Sequence, residues 1–257
     1  DPHINTIQRN AIQSWMHLGD GVQILLVGQE EGLEEVAAEF DLTCLPDVER
    51  NEWGTPLVSS IFQLARGASL APVLVYVNAD IVLLPEFLDV VRVVSEQSQR
   101  YLVLGQRWDL DVTEMLDFSH DWAARLKQRT LQQGELHSPS GSDYFIFPTI
   151  LFKGMPAFAV GRAGWDNWMI YHALKQGWQV IDATPSLMVI HQNHDYSHLP
   201  GNVKTHYDLE ETHINAQLGG GMANMYITLD ANRQLIGQRI HRPKPSLIRF
   251  LRRLERA

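Results

Sequence analysis

The stretch that decides the fold is VLVYVNADIVLL, residues 73–84. Its first five residues have the length and composition of a buried β-strand, and they lead directly into Asn78-Ala79-Asp80. In open α/β sheets, ligands bind beyond the carboxyl ends of the strands. Asp80 lies at such an end, which makes it a candidate ligand contact. Turn chemistry is the competing interpretation, because Asn and Asp also favour turns and helix starts.

Apolar strands and helices alternate on both sides of this stretch. The segments VQILLVG, YLVLG, SGSDYFIFP and SLMVIH predict strands. The segments LEEVAAEF, TPLVSSIFQLARG, PEFLDVVRVVSEQ, DFSHDWAARLKQRTLQQG and WDNWMIYHALKQG predict helices. Continuous apolar strands that alternate with helices predict an α/β fold, with a mostly parallel sheet that is covered by helices on both faces.

Composition excludes several classes of protein. The chain has 257 residues and a net charge of −9, which argues against a nucleic-acid partner because neutralising phosphates requires a basic face. The single cysteine, Cys44, excludes an internal disulfide and permits a reducing compartment. No apolar run approaches the ~20 residues that span a bilayer, and the first residues lack the features of a signal peptide. We therefore expect a cytoplasmic protein.

Six stretches carry a resemblance to a known family. They are, in chain order, GQEEG, NEWGTPLVSSIF, VNADI, GSDYFIF, GWDNWMIYHA and VIHQNHDYSH. With them the chain resembles the GT-A fold glycosyltransferases, and in particular the bacterial, plant and viral glycosyltransferase-like proteins. The resemblance implies one Rossmann-like GT-A domain over residues 1–235, with a nucleotide-sugar half (1–110) and an acceptor half (111–235). A basic amphipathic tail, residues 236–257, follows. Members of the family open with a strand that carries part of the nucleotide site, and that strand either precedes residue 1 or is replaced by another segment.

The activity that the resemblance implies is transfer of a hexose or deoxyhexose to a hydroxyl of a glycan or other acceptor, as in polysaccharide biosynthesis. The donor would be a UDP-, GDP- or dTDP-linked sugar. Two alternatives from other classes remain open. A non-catalytic module would bind a nucleotide-sugar or glycan without catalysing a reaction. A sugar-phosphate nucleotidyltransferase would use a related sheet, with a Gly-rich basic loop near its first strand.

The VNADI stretch resembles the family's Asp-x-Asp triplet, which holds Mn²⁺ or Mg²⁺ against the donor diphosphate. Asn78 stands where the triplet has its first acid, so Asp80 is left to coordinate the metal. Asn78 would contact the ribose or a metal-bound water, with Ala79 between them. One negative charge fewer weakens the expected affinity for the cation.

Histidines that follow the last predicted strand are further candidates for the metal site. In many GT-A enzymes a late histidine completes the site, and the resemblance implies that role for His191 and next for His194. His198 lies in the same stretch. The alternative is a loop of histidines that hydrogen-bond with one another.

Asp166, in GRAGWDNWM, matches the position of the acid that acts as general base in inverting family members. The alternative is that Asp166 is a helix N-cap. Asp143, in GSDYF, is the rival base or an acceptor ligand. A base opposite the leaving group implies inversion at the anomeric carbon, with retention as the other outcome.

Family members hold the nucleoside near the segments that match QEEG and NEWGTP. The resemblance therefore implies donor contacts from Gly28, Glu30, Gly54 and Thr55. The alternative is a solvated acidic turn followed by a helix start. Arg107 would face a phosphate or an acceptor oxygen, or would pair with the nearby Asp109.

Aromatic residues near the candidate acids suit sugar rings, which pack on flat apolar faces. We expect acceptor contacts from Trp108, Tyr144 and Trp165, with core packing as the alternative.

The tail places Leu247, Phe250, Leu251 and Leu254 on one helical face, with arginines around the other. Such a helix suits the anionic inner surface of a membrane. Packing of the helix back onto the domain is the alternative.

Overall fold

The computed structural model describes residues 1–194 and 209–255. The helices in these ranges are α1 (Pro2–Met16), α2 (Leu33–Glu39), α3 (Val58–Ala68), α4 (Glu86–Gln97), α5 (Trp122–Gln133), α6 (Trp165–Lys175), α7 (Glu210–Leu218) and α8 (Leu247–Glu255). The strands are β1 (Leu25–Val27), β2 (Thr43–Leu45), β3 (Val73–Val77), β4 (Ile81–Leu83), β5 (Tyr101–Leu104), β6 (Trp108–Leu110), β7 (Glu135–Leu136), β8 (Tyr144–Pro148), β9 (Gln179–Asp182), β10 (Val189–Gln192), β11 (Arg233–Ile236) and β12 (Arg239–His241).

The described strands form three sheets, which confirms the α/β class. The largest sheet has the order β12-β11-β9-β5-β8-β3, the second has the order β4-β10-β6-β7, and β1 pairs with β2. The sheets are not mostly parallel as predicted, because β8 runs antiparallel to both β3 and β5, and β4 runs antiparallel to β10. The sequence of β8 is apolar because the strand is buried on both faces. A central antiparallel strand is buried in the same way as a parallel one, so an apolar run does not show the direction of the strand.

Two separate cores cover the two faces of the six-stranded sheet. In β5, Tyr101 and Val103 point into a core that includes residues of α1 and α4. The alternate residues, Leu102 and Leu104, point into a second core that includes residues of α3 and α6. Successive side chains of a strand face opposite sides, so this division confirms that helices cover both faces of the sheet.

Strands from both predicted halves of the domain pair within one sheet, since β3 lies beside β8. The predicted boundary after residue 235 falls inside the hairpin of β11 and β12, which extends the six-stranded sheet. Helix α8 begins after that hairpin. Within the described ranges, no helix has both the length and the apolar character needed to cross a membrane.

Three of the connections that cross between the six-stranded and four-stranded sheets carry polar side chains. They are residues 78–80 between β3 and β4, residues 105–107 between β5 and β6, and residues 137–143 between β7 and β8. Because they link the same two sheets, they bring residues far apart in sequence to one place.

Candidate active site

Asp80, His191 and His194 form a cluster at the junction of the two larger sheets. Each offers one ligand atom, and these atoms lie within 4.8 Å of one another. The Nε2 atoms of His191 and His194 lie 3.4 Å and 3.1 Å from Asp80 Oδ2. Strand pairing fixes this arrangement, since His191 lies opposite Ile81 in the pairing of β10 with β4. One carboxylate and two imidazoles are a donor set that divalent transition metals accept.

The second oxygen of Asp80 supports a ligand at this point. Asp80 Oδ1 is buried and has no hydrogen-bond partner among the described residues. Burial raises the pKa of Asp80, but the contacts with His191 and His194 lower it by more, so this pKa lies well below its usual value. A buried, charged oxygen without a partner is costly, and a cation would remove that cost.

Asp109 lies beside His191, on the side of the ring away from Asp80. In the parallel pairing of β10 with β6, His191 lies opposite Asp109, and its Nδ1 is 3.0 Å from Asp109 Oδ1, although the angle is not that of a hydrogen bond. The other oxygen of Asp109 is 2.6 Å from Nδ1 of His137. Arg107 Nε also donates to Asp109 Oδ1 at 2.8 Å, which confirms the predicted Arg107–Asp109 pair. A carboxylate on the far nitrogen of a metal-binding histidine commonly fixes the orientation of the ring.

A second polar group joins Asn78 to Asp143. Asp143 Oδ1 accepts hydrogen bonds from the Asn78 side chain at 2.9 Å and from Arg107 at 2.7 Å. Asn78 Oδ1 in turn accepts a hydrogen bond from the hydroxyl of Tyr76 at 2.9 Å. Asp143 Oδ2 is buried and, within the described ranges, has no partner. Arg107 therefore lies between two carboxylates, Asp109 and Asp143, and links this group to the residues around His191.

Asp166 lies near the same group and titrates abnormally. It is the second residue of α6, and its Oδ1 accepts a hydrogen bond from the backbone of Gly164, which is itself the N-cap. Asp166 is therefore not the N-cap itself, but its carboxylate accepts backbone N–H bonds at the helix start, as the structural alternative expects. Burial raises the pKa of Asp166 to about 6, with a further increase from the negative charge of Asp143 and opposition from backbone hydrogen bonds.

Three of these carboxylates influence Tyr76. Burial raises the pKa of its hydroxyl, and the charges of Asp143, Asp80 and Asp166 raise it further.

The residues predicted to hold the nucleoside form a group of their own. Arg50 donates to Glu30 at 3.0 Å and to the carbonyl of Gly54 at 2.8 Å, so it joins the two predicted segments. Gly28 and Gly54 both have positive φ, and a Cβ on Gly28 would lie 2.0 Å from a carboxylate oxygen of Glu30. A side chain on Gly28 would therefore displace the carboxylate of Glu30 from its present position. Among the described residues, this group and Asp80 share no hydrogen bond or ion pair.

Thr55 connects that group to the loop before α6, and through a largely buried ion pair to α7. Its backbone N–H donates to Asn51 at 2.9 Å, and its hydroxyl lies 3.5 Å from Arg162. Arg162 pairs with Glu211 at 2.8 Å, and the side chain of Asn51 donates to the same carboxylate at 2.7 Å.

Two of the three predicted acceptor contacts do not fit the structure. Tyr144 is fully buried in the core that contains α1 and α4 residues. Trp165 is also buried, with its ring against those of Tyr76 and Phe145. Only Trp108 is partly exposed, and it packs against the core below α5. Ala79, by contrast, is exposed beside Asp80. His198 lies outside the described residues.

The sequence did not single out Arg50, Tyr76, His137 and Glu211. Arg50 and His137 lie in loops without a recognisable motif, and Tyr76 reads as an ordinary strand residue. The contacts of Arg50 with Glu30, of His137 with Asp109 and of Glu211 with Asn51 join residues that are 20 or more positions apart. Tyr76 is the exception, because its partner Asn78 lies two residues later in the chain.

No protein-family model and no curated protein matches the chain. Among solved structures, the chain is similar to the mannosyltransferase PcManGT from Pyrobaculum calidifontis, which was solved in complex with GDP-Man and Mn²⁺. The sequence identity is 10% and the TM-score is 0.49, over 74% of this chain and 54% of that chain. This chain thus spans about half the length of that structure. At this level of similarity the likeness assigns no activity to the chain.

Proposed function

We propose that this chain is a metal-dependent glycosyltransferase of the GT-A type. It would move a hexose or deoxyhexose from a UDP-, GDP- or dTDP-linked sugar to a hydroxyl of a glycan or other acceptor. The observation that carries the proposal is the convergence of Asp80, His191 and His194, with a buried oxygen of Asp80 left unpaired. The donor set and the unpaired oxygen fit a divalent cation.

Asp80, His191 and His194 would hold Mn²⁺ or Mg²⁺. The ion, when bound, would neutralise charge on the diphosphate of the donor. Asp109 would keep the His191 ring in position through the close contact with its Nδ1. Asn78, which is tied to Asp143, would contact the ribose rather than the ion.

Asp166 would act as the general base. A pKa of about 6 leaves its carboxylate ionised at neutral pH, yet basic enough to take the proton of an attacking hydroxyl. Asp143 is the weaker candidate, because one of its oxygens already accepts hydrogen bonds from Asn78 and Arg107. A single displacement with Asp166 as base would invert the anomeric carbon.

The donor nucleotide would lie towards Gly28, Glu30, Gly54 and Thr55, beyond the exposed Ala79. Arg107 would not be a free phosphate ligand, since two carboxylates already bind its guanidinium. We assign Arg107 to positioning Asp109 and Asp143.

The test is a panel of UDP-, GDP- and dTDP-sugars, each scored by thermal shift with and without Mn²⁺. A donor that binds the folded chain raises its stability by RT ln(1 + [L]/Kd). We expect one donor to stabilise the chain only when Mn²⁺ is present, and that donor to release nucleoside diphosphate when an acceptor mixture is added. Stabilisation without any release over a broad acceptor panel would instead support a non-catalytic binding module. Absence of both effects for every donor would refute the proposal.

A further inference from the structure

Helix α8 packs on the domain through its basic face. Arg249 donates to Asp182 at 3.3 Å and to two backbone carbonyls of residues 229–231. Arg252 donates to both oxygens of Asp230, at 3.0 Å and 2.6 Å. The side chains of both acids are only 6% exposed. The polar side of this amphipathic helix is thus its docked side.

The apolar side of α8 faces outwards as a result. Its large apolar side chains are between 49% and 73% exposed, and they are Leu247, Ile248, Phe250, Leu251 and Leu254. Single exposed apolar residues are common, but five in two turns of one helix form a continuous surface. A continuous apolar surface of this kind marks a site of contact with a partner.

The charges on α8 and on the segment that precedes it indicate an anionic partner. Exposed cations lie on α8 and on the segment before it, namely Arg239, Arg242, Lys244 and Arg253. Glu255 is the one acid among residues 239–255 in the sequence. The rest of the chain is strongly acidic, so this concentration of positive charge is local. A second copy of the chain fits poorly, because a two-fold contact would place these cations against themselves.

We propose that α8 docks the domain onto an anionic lipid bilayer. Phe250 and the leucines would enter the boundary between headgroups and acyl chains, and Lys244 and Arg253 would contact lipid phosphates. Arg249 and Arg252 would instead fasten the helix to the domain. The sequence left packing onto the domain as the alternative to membrane contact, and the basic face of α8 does pack there. The proposal does not depend on glycosyl transfer.

The test is flotation of the full chain with vesicles of phosphatidylcholine alone or mixed with phosphatidylglycerol. We expect binding to the mixed vesicles and much weaker binding to phosphatidylcholine. The variant Phe250→Glu/Leu254→Glu should lose about tenfold or more in partition coefficient, since each buried apolar side chain contributes strongly to transfer from water. A matched control is Leu131→Glu/Ile150→Glu, which changes two side chains of similar exposure elsewhere and should bind as the wild type does.

A second variant separates charge from apolar insertion. Lys244→Glu/Arg253→Glu should weaken binding to the mixed vesicles and leave the weak binding to phosphatidylcholine unchanged. Circular dichroism should show the same fold for all variants, because the altered side chains are exposed. Equal binding by the wild type and Phe250→Glu/Leu254→Glu would overturn the proposal. A lipid-independent dimer in light scattering that this variant dissociates, with no vesicle binding, would also overturn it and would identify a protein interface.

Discussion

The side-chain amide of Asn78 donates a hydrogen bond to the carboxylate of Asp143, and their backbones are also joined, with Asn78 N–H donating to Asp143 C=O at 3.0 Å. This pairing of β3 with β8 explains why an amide stands where the resemblance leads one to expect an acid. A carboxylate at position 78 would lie within hydrogen-bond distance of another carboxylate. The carboxylate next to Asn78 is therefore that of Asp143, the residue immediately before β8.

We expect Asn78→Asp to lower the free energy of unfolding at neutral pH by ~1–3 kcal/mol, because two buried carboxylates would then face each other without a shared proton. The double variant Asn78→Asp/Asp143→Asn should be more stable than Asn78→Asp alone, since the exchange restores the amide–carboxylate pair. Urea unfolding of the wild type, Asn78→Asp, Asp143→Asn and the double variant measures the coupling between the two side chains. If the decrease in the free energy of unfolding of the double variant equals the sum of the decreases of the two single variants, the two side chains do not interact.

Asp166→Asn should separate catalysis from stability. The pKa of Asp166 in the folded chain, about 6, lies above its ordinary value, so between these two pH values the folded state binds more protons than the unfolded state. The contribution of Asp166 to the free energy of unfolding therefore falls as the pH rises through that window. At pH 7 the charged carboxylate destabilises the folded state. The variant should be at least as stable as the wild type at pH 7, with a flatter dependence of stability on pH.

The same variant should lose ~10²- to 10⁴-fold in transfer rate if Asp166 is the base. In the wild type, the rate should rise with pH through about 6, as the carboxylate ionises. Measurement of the rate on saturating donor across this range tests both statements. A variant that is less stable yet still transfers sugar would assign Asp166 a structural role and would favour Asp143 as the base.

Metal binding should depend on each member of the cluster. Mn²⁺ at about a hundredfold excess over its Kd should stabilise the wild type by ~2.7 kcal/mol. Asp80→Asn, His191→Gln and His194→Gln should each remove most of that gain. His172→Gln is a matched control, because this histidine stacks on Trp168, away from the cluster. The gain should also shrink on acidification, since imidazole must be neutral to bind a metal. An equal gain in all the variants would place the ion elsewhere.

Much of the fold was predictable because it is encoded locally. The run VLVYV predicts β3 through its apolar residues, and PEFLDVVRVVSEQ predicts α4 through its helical period. The pairing directions were not predictable in this way. Strands β4, β6 and β7 have three residues or fewer, which is too short to show an alternation of apolar and polar residues. Most of their neighbours in the sheet also come from distant parts of the chain.

The site was predictable only where its residues follow a strand. Asp80 could be identified because it follows the run VLVYV, and His191 because it closes the apolar run SLMVIH, although β10 continues to Gln192. The contact of Asp109 with His137 depends on the pairing of β6 with β7, which no local pattern shows. Tyr144 was assigned to the acceptor because it follows Asp143 in the chain, but successive residues of a strand face opposite sides, and its ring is buried.

The buried ion pair of Arg162 with Glu211 should contribute far more to stability than an exposed pair. Their side chains are 13% and 6% exposed, and Asn51 donates to the same carboxylate, so the pair joins α7 to the loop before α6. Glu211→Gln leaves the buried guanidinium without a counter-charge and should lower the free energy of unfolding by ~3–5 kcal/mol. The matched change Glu39→Gln, in the more exposed pair with Arg9, should cost ~0–1 kcal/mol. Chemical unfolding of both variants compares them directly. Equal losses would mean that water reaches the Arg162–Glu211 pair. The claim that this pair holds α7 to the loop before Asp166 would then be wrong.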